Sequence, residues 1–166
     1  MANAYGLNVG DKVAGFVLPA TSGDKLGTKG LKNDYLVLYF YPRDNTSGCT
    51  LEGQDFKRLY PKFQKMGAEI YGISRDSLAQ HEKFKEKFAF PFELLSDEDG
   101  VVCKKFDVIQ IKNMYGRKIA GIERSTFVIH NTGKILGAWR KVRVAGHAEE
   151  VLKAVLRMSK GQNDES

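Results

Sequence analysis

The pattern of hydrophobic and polar residues changes along the chain, with strand-like segments and helix-like segments following one another. Residues 35–41 are apolar or aromatic at every position, as expected for a strand that is buried on both faces of a sheet. Beyond a polar turn, apolar residues recur at spacings of three and four between Phe56 and Met66, which predicts a helix. Residues 69–74 form a second strand-like run. Strand, helix and strand in this order predict a right-handed βαβ unit with parallel strands.

The rest of the chain continues this alternation. The pattern predicts, in chain order, a helix that begins at Ser77 and stops near Pro91, a strand at residues 92–95, a short helix around Cys103, a hairpin over residues 125–139 and a helix over residues 148–159. Residues 13–19 are predicted to be extended and residues 161–166 to form a frayed tail. Residues 107–123 are mixed and give no prediction.

The order of these elements predicts an α/β fold. The parallel half, the terminal hairpin and the last helix suggest a thioredoxin-like layer sandwich, with a central mixed β-sheet flanked by helices. The 166 residues fit one domain, residues 1–166, because a domain typically takes roughly 150 residues. This fold hosts many activities, so it does not by itself define the function.

Composition and charge exclude several classes of protein. With 42% hydrophobic and 28% charged residues the chain is not intrinsically disordered. Its longest apolar run is far shorter than the roughly 20 residues of a membrane helix, and its start resembles no export signal, so we expect a cytoplasmic protein without a membrane partner. The net charge of +6 comes from basic residues scattered among acidic ones, which indicates solvated faces rather than a nucleic-acid site.

Cysteine and histidine usage limits the possible cofactors. Cys49 and Cys103 lie too far apart for a Cys-x-x-Cys redox or zinc pair, and two cysteines indicate a reducing compartment. His81, His130 and His147 show no metal-ligand spacing among themselves or with the cysteines. We therefore expect no metal site.

Cys49 occupies a position that favours a reactive thiol. A buried strand has just ended there and a helix begins, so unpaired backbone N–H groups and the helix dipole stabilise an anion. The pKa of a free cysteine is about 8.5, and such surroundings lower it to about 3.5–7.5. The alternative is an inert, partly buried cysteine that serves only in packing.

The residues around Cys49 match a known signature. Pro42, Thr46 and Cys49 form a Pro-x-x-x-Thr-x-x-Cys pattern that resembles the active-site signature of the peroxiredoxins. Further segments, residues 39–42, 48–50, 124–127 and 146–150, are similar to the bacterioferritin comigratory protein (peroxiredoxin Q) subfamily. The resemblance covers nearly the whole chain, from Val13 to Leu156.

This resemblance implies reduction of hydroperoxides by a thiol, without metal, haem or flavin. Cys49 would be the nucleophile, and Thr46 would orient the peroxide through its hydroxyl. Arg124, brought in from a distant strand, would pair with the thiolate and donate to the peroxide oxygens. Pro42 would shape the loop and shield the sulfur from water. Glu52 stands where many peroxiredoxins hold an acid that orients the arginine, although a first-turn acid that only favours the helix is the alternative.

The chain departs from the subfamily in its resolving thiol. The position five residues after Cys49, where many members have a second cysteine, is Gln54, and Cys103 is the remaining internal candidate. The alternative role for Cys103 is that of a buried residue that serves only in packing. We therefore expect a one-cysteine mechanism, with thioredoxin or glutaredoxin and glutathione as reductant, in a protein that is a monomer rather than a dimer. Ser47 replaces a usual proline, which loosens the loop slightly.

Three other functions remain as alternatives. A cysteine hydrolase would need a base beside Cys49, for which His130 or His147 is available, and would give Arg124 and Thr46 no role. A thioredoxin-type disulfide exchanger would need a cysteine where Glu52 stands. A redox-responsive binding module would use the basic faces of the protein to hold its partners.

Overall fold

The computed structural model describes residues 7–165 and contains nine strands and four helices in that range. The strands are β1 Val17–Pro19, β2 Lys25–Gly27, β3 Tyr35–Phe40, β4 Ala68–Ser74, β5 Glu93–Ser96, β6 Ile109–Met114, β7 Arg117–Ile122, β8 Ser125–His130 and β9 Ile135–Trp139. The helices are α1 Ser47–Lys65, α2 Leu78–Phe88, α3 Val101–Lys105 and α4 His147–Glu165. No helix in the described range is both long enough and apolar enough to span a membrane.

A five-stranded mixed sheet forms the centre, in the order β5-β4-β3-β8-β9. β3, β4 and β5 are parallel, while β8 is antiparallel to both β3 and β9. The predicted βαβ unit is therefore confirmed as β3-α1-β4, and the predicted hairpin as β8-β9. All six residues of β3 are buried, as its unbroken apolar pattern predicts for a central strand.

Side chains that alternate along β3 supply two separate cores. Tyr35, Val37 and Tyr39 belong to a core that also contains residues of α1, α2 and α4. Leu36 and Leu38 belong to the other core, which contains residues of α3 and of the N-terminal segment. Because successive side chains of a strand point to opposite faces, the two cores lie on opposite sides of the sheet. The predicted arrangement of a mixed sheet flanked by helices is confirmed.

One segment for which the sequence made no prediction forms a hairpin, and another differs from its prediction. Residues 109–122 form the hairpin β6-β7, a two-stranded sheet separate from the main one. Its residues are largely exposed on both faces, and apolar and polar residues alternate clearly only over residues 109–112, which does not define a hairpin. Helix α4 continues to Glu165, so residues 161–165, for which a frayed tail is predicted, are the last residues of that helix. No proline interrupts that segment and Gly161 only weakens a helix. Ser166 lies outside the described residues.

Candidate active site

Cys49 is the third residue of α1, directly after the loop that follows β3. Its side chain is only 2% exposed and packs in the core that α1 shares with β3. The first backbone N–H groups of a helix have no partners within the helix and carry partial positive charge. The local fold therefore places the sulfur within the first turn of the helix, next to these N–H groups.

Arg124 reaches Cys49 because of the pairing of β3 with β8. The register places Phe40, the last residue of β3, opposite Ser125, the first residue of β8. Arg124 directly precedes β8 and so lies at the same edge of the sheet as the start of α1. Its Nη2 group donates to Cys49 Sγ at 3.4 Å. At Gly48, an added Cβ would stand 3.1 Å from the same nitrogen, so a residue without a side chain leaves room for this contact.

Glu52 holds the other arm of the guanidinium. Arg124 Nη1 donates to Glu52 Oε1 at 2.7 Å, and Glu52 is only 1% exposed. Its second oxygen, Oε2, has no hydrogen-bond partner among the described residues. Burial raises the pKa of Glu52 to about 7, although the neighbouring Arg124 guanidinium acts in the opposite direction. The acid is thus an internal partner of the arginine, and not an exposed first-turn residue.

Thr46 and Pro42 lie on the exposed side of the loop. Thr46 is the N-cap residue of α1, but its hydroxyl makes no capping hydrogen bond and instead donates to the Arg43 carbonyl at 2.9 Å. The lone pairs of that oxygen remain able to accept a hydrogen bond. Pro42 directly follows the buried Tyr41. Among the described residues, Arg124 is the hydrogen-bond partner recorded for Cys49 Sγ, so the structure does not join Thr46 or Pro42 to the sulfur directly.

Cys103 is buried far from this site. It lies in α3, is 0% exposed and belongs to the core on the opposite side of the sheet from Cys49. Both cysteines are free. Burial, together with hydrogen bonding to Asp97, raises the pKa of the Cys103 thiol well above its usual range. The central sheet therefore separates the two sulfurs in this conformation.

The histidines considered as bases for a hydrolase are engaged elsewhere. His147 Nε2 lies 2.8 Å from Thr126 Oγ1, and burial followed by the positive charge of Arg124 lowers the pKa of His147 to about 4. His130 contacts Thr132 at the far end of β8 from Arg124. Neither histidine forms a hydrogen bond with Cys49 in the described residues, so the geometry does not favour a cysteine-histidine pair.

Sequence reasoning missed a buried network beneath the loop. Asp44 accepts a hydrogen bond from the Tyr41 hydroxyl at 2.6 Å, and its other oxygen lies 2.6 Å from His81 Nδ1. His81 Nε2 lies 2.9 Å from the Leu95 carbonyl, so this nitrogen carries a proton. The signal available in the sequence was a histidine on the apolar stripe of α2, which needs a polar partner when it is buried.

Asp44 and His81 also belong to a group with metal-ligand spacing, which the histidine pattern alone did not show. Asp44, Asp76 and His81 each place one potential ligand atom within 4.8 Å of the others. Hydrogen bonds within the protein already engage these groups, however: Asp76 Oδ2 accepts from the Asp44 backbone N–H at 2.9 Å and from the Ser74 hydroxyl. The arrangement is satisfied as a structural network of the loop.

Comparison with known proteins identifies the family. Residues 9–138 match the AhpC/TSA family. The chain is 50% identical to peroxiredoxin Bcp of Xanthomonas campestris pv. campestris over 83% of this chain and 86% of that protein. It is 40% identical to peroxiredoxin Bcp of Bacillus subtilis over 92% of this chain and 98% of that protein. The chain belongs to the AhpC/TSA family and, within it, to the Bcp peroxiredoxins.

Solved structures agree with this membership. The structure of the X. campestris bacterioferritin comigratory protein, solved as trapped intermediate and ligand complexes to study its alkyl peroxide reduction, has a TM-score of 0.83 to this peroxiredoxin. The two chains are 47% identical, and the match covers 87% of this chain and 92% of the other. The fold of this peroxiredoxin is thus the thioredoxin-like layer sandwich predicted from the sequence, and the protein is a peroxidase.

Proposed function

We propose that this peroxiredoxin reduces hydrogen peroxide and organic hydroperoxides with the Cys49 thiolate as nucleophile. The observation that carries the proposal is the contact of the Arg124 guanidinium with Cys49 Sγ on one side and with buried Glu52 on the other. A cation fixed beside the sulfur can pair with the attacking thiolate and can stabilise the charge that develops on the peroxide oxygens. The alkyl peroxide reduction studied in the X. campestris relative supports the inclusion of organic hydroperoxides.

The first half-reaction oxidises Cys49. The thiolate attacks one peroxide oxygen, the O–O bond breaks, and the second oxygen leaves with the bonding electron pair and takes up a proton as water or an alcohol. Cys49 becomes a sulfenic acid. Arg124 donates to the oxygens as charge moves onto them, which stabilises the transition state more than the ground state.

Thr46 and Pro42 position the substrate in this proposal. The Thr46 hydroxyl donates its hydrogen bond to the Arg43 carbonyl, so its oxygen is left to accept a hydrogen bond from the peroxide O–H group. Pro42 fixes the backbone where β3 passes into the loop, because its ring restricts φ and it has no N–H. Glu52 acts through Arg124, whose orientation it holds by the 2.7 Å contact.

The second half-reaction uses a thiol from outside the chain. The sequence contains two cysteines, and Cys103 lies on the far side of the sheet from Cys49. A disulfide needs Cα atoms within about 7 Å of each other. An external thiol such as thioredoxin or glutathione therefore attacks the sulfenic acid, water leaves, and a second thiol releases reduced Cys49. A reducing cytoplasm, as expected from the two free cysteines, would supply such thiols.

The decisive experiment is the intact mass of the reduced protein before and after one equivalent of hydrogen peroxide, under non-reducing conditions and with a sulfenic-acid trap. We expect one trapped adduct per chain, mapped to Cys49 by peptide analysis, and none in Cys49→Ser. The Cys103→Ala variant serves as the matched control and should give the same adduct as the wild type. An unchanged wild-type mass would overturn the proposal.

A further inference from the structure

A pocket of about 430 Å³ opens beside the loop that carries Thr46. One wall is the loop itself, residues 43–46, and the opposite wall is α2, with Lys83, Lys87 and the ring of Phe84. The volume is within the usual range of about 300–1,000 Å³ for small-molecule sites. Thr46 thus belongs both to this pocket and to the candidate active site.

Three cationic side chains line the pocket without acidic partners. Arg43, Lys83 and Lys87 are exposed, and none of them forms an ion pair with a carboxylate in the described part of the chain. Lys87 Nζ donates to the Asn45 side-chain oxygen at 3.1 Å, which is a neutral partner. Lys83 and Lys87 stand four residues apart and so share one face of α2. These groups can bind the negative charges of a ligand.

The two acidic residues that line the pocket, Asp44 and Asp76, form hydrogen bonds within the protein. Asp44 accepts from Tyr41 and contacts His81, and its side chain is only 6% exposed. Asp76 Oδ2 accepts the Asp44 backbone N–H and the Ser74 hydroxyl. The charge that the pocket presents to solvent is therefore mainly positive.

The pocket adjoins the weakly held start of α1. Thr46 does not cap the helix with its side chain, and Gly48 in the first turn favours the helix less than a residue with a side chain would. Cys49 is only 2% exposed and is not among the residues that line the pocket, so a ligand in the pocket reaches its sulfur only when this first turn opens. A small thiol held in the pocket would then meet the oxidised sulfur.

We propose that this pocket binds a low-molecular-weight thiol that carries carboxylate groups, such as glutathione, and that the bound thiol reduces oxidised Cys49. The inference rests on the proposed function, because it requires a sulfenic acid at Cys49. The thiol sulfur bonds to the sulfenic sulfur and water leaves, which gives a mixed disulfide. A second thiol attacks that disulfide, releases Cys49 as the thiol and departs as the oxidised small-molecule disulfide. The carboxylates of the bound thiol pair with Arg43, Lys83 and Lys87.

The test compares glutathione with its diethyl ester, which keeps the thiol but lacks both free carboxylates. Cys49 is first converted to the sulfenic acid with one equivalent of peroxide, and the rate constant of mixed-disulfide formation is measured for each thiol. We expect the wild type to favour glutathione over the ester by about tenfold or more, as loss of charge-assisted hydrogen bonds would predict. In Lys83→Glu/Lys87→Glu the preference should vanish. The charge-matched control Lys62→Glu/Lys153→Glu, which changes exposed lysines on α1 and α4, should retain it.

Each outcome bears on one proposal only. Equal rates for glutathione and its ester in the wild type, or a preference that survives in the pocket variant, would overturn the thiol site. Reduction by thioredoxin alone, with no reaction of glutathione, would overturn it as well and make the reductant a protein. A wild-type protein that forms no sulfenic acid with peroxide would instead refute the proposed function, and this is visible in the first step.

Discussion

Arg124 joins Cys49 to Glu52: one guanidinium nitrogen lies 3.4 Å from the sulfur and another lies 2.7 Å from the carboxylate. The two contacts come from residues 75 and 72 positions away in sequence. A planar fork with several donors can serve both groups at once, which a lysine cannot do with the same geometry. The sulfur, the cation and the buried acid therefore form one connected cluster.

Replacement of Arg124 should slow the oxidation of Cys49. A hydrogen bond to a charged group is worth about 1.5–3 kcal/mol, which corresponds to a loss of about ten- to a hundredfold in rate for Arg124→Ala. Arg124→Lys restores the charge but not the fork and should be intermediate. Stopped-flow measurement of the second-order rate constant with hydrogen peroxide checks this. An Arg124→Ala protein that is folded and oxidised at the wild-type rate would remove Arg124 from the chemistry.

Glu52 should make the folded protein less stable as pH rises. Its pKa is raised by burial to about 7, from an ordinary value of 4.5. Between these values the native state holds a proton that the unfolded state has lost, so stability falls with increasing pH. The full effect of the 2.5-unit shift is about 3 kcal/mol.

Urea unfolding of the wild type and of Glu52→Gln at pH 5 and pH 8 isolates this contribution. From pH 5 to pH 8 the free energy of unfolding of Glu52→Gln should rise by up to about 3 kcal/mol relative to that of the wild type. Gln54→Ala, at an exposed position of the same helix, is a control whose difference from the wild type should not change with pH. A constant difference between Glu52→Gln and the wild type would show that Glu52 is ionised throughout.

His147 should have the opposite effect on the acid side. Burial and the charge of Arg124 lower its pKa to about 4, from 6.5. Between pH 6.5 and pH 4, His147 binds a proton in the unfolded state but not in the native state. The free energy of unfolding therefore decreases as pH falls toward 4. His147→Gln, which can still bond to Thr126, should lessen this loss by up to about 3 kcal/mol. Unfolding curves at pH 7 and pH 4.5 measure it, and equal losses in variant and wild type would contradict the assignment.

The sequence was most informative where burial decides the pattern. β3 could be predicted because both of its faces are covered, and the start of α1 because a polar loop follows a buried strand. The hairpin β6-β7 could not be predicted, since its residues are mostly exposed and alternate clearly only over residues 109–112. Pattern and resemblance together led to Cys49 and Arg124, but the 1% exposure of Glu52 follows from how β8 and α1 pack, which local sequence does not encode.

The Asp44-His81 network marks another limit of sequence reasoning. His81 sits on the apolar stripe of α2, and Asp44 in a polar loop, 37 residues earlier. Nothing in either local pattern indicates the other residue. Their contact depends on the placement of α2 next to the end of β3, which is a property of the tertiary fold.

Removal of the Cys103 thiol should leave the catalytic cycle intact. Cys103 is fully buried on the side of the sheet opposite Cys49, and the two residues share no hydrogen-bond partner among the described residues. Sites that are distant and share no partners act independently, so turnover of Cys103→Ala with an external thiol should stay within about twofold of the wild type. The variant should be less stable by about 1–3 kcal/mol, because a buried group is lost. Mass spectrometry of the oxidised proteins decides the mechanism. Loss of two hydrogens in the wild type but not in Cys103→Ala would make Cys103 the resolving thiol. The same trapped sulfenic acid in both proteins would establish the one-cysteine cycle.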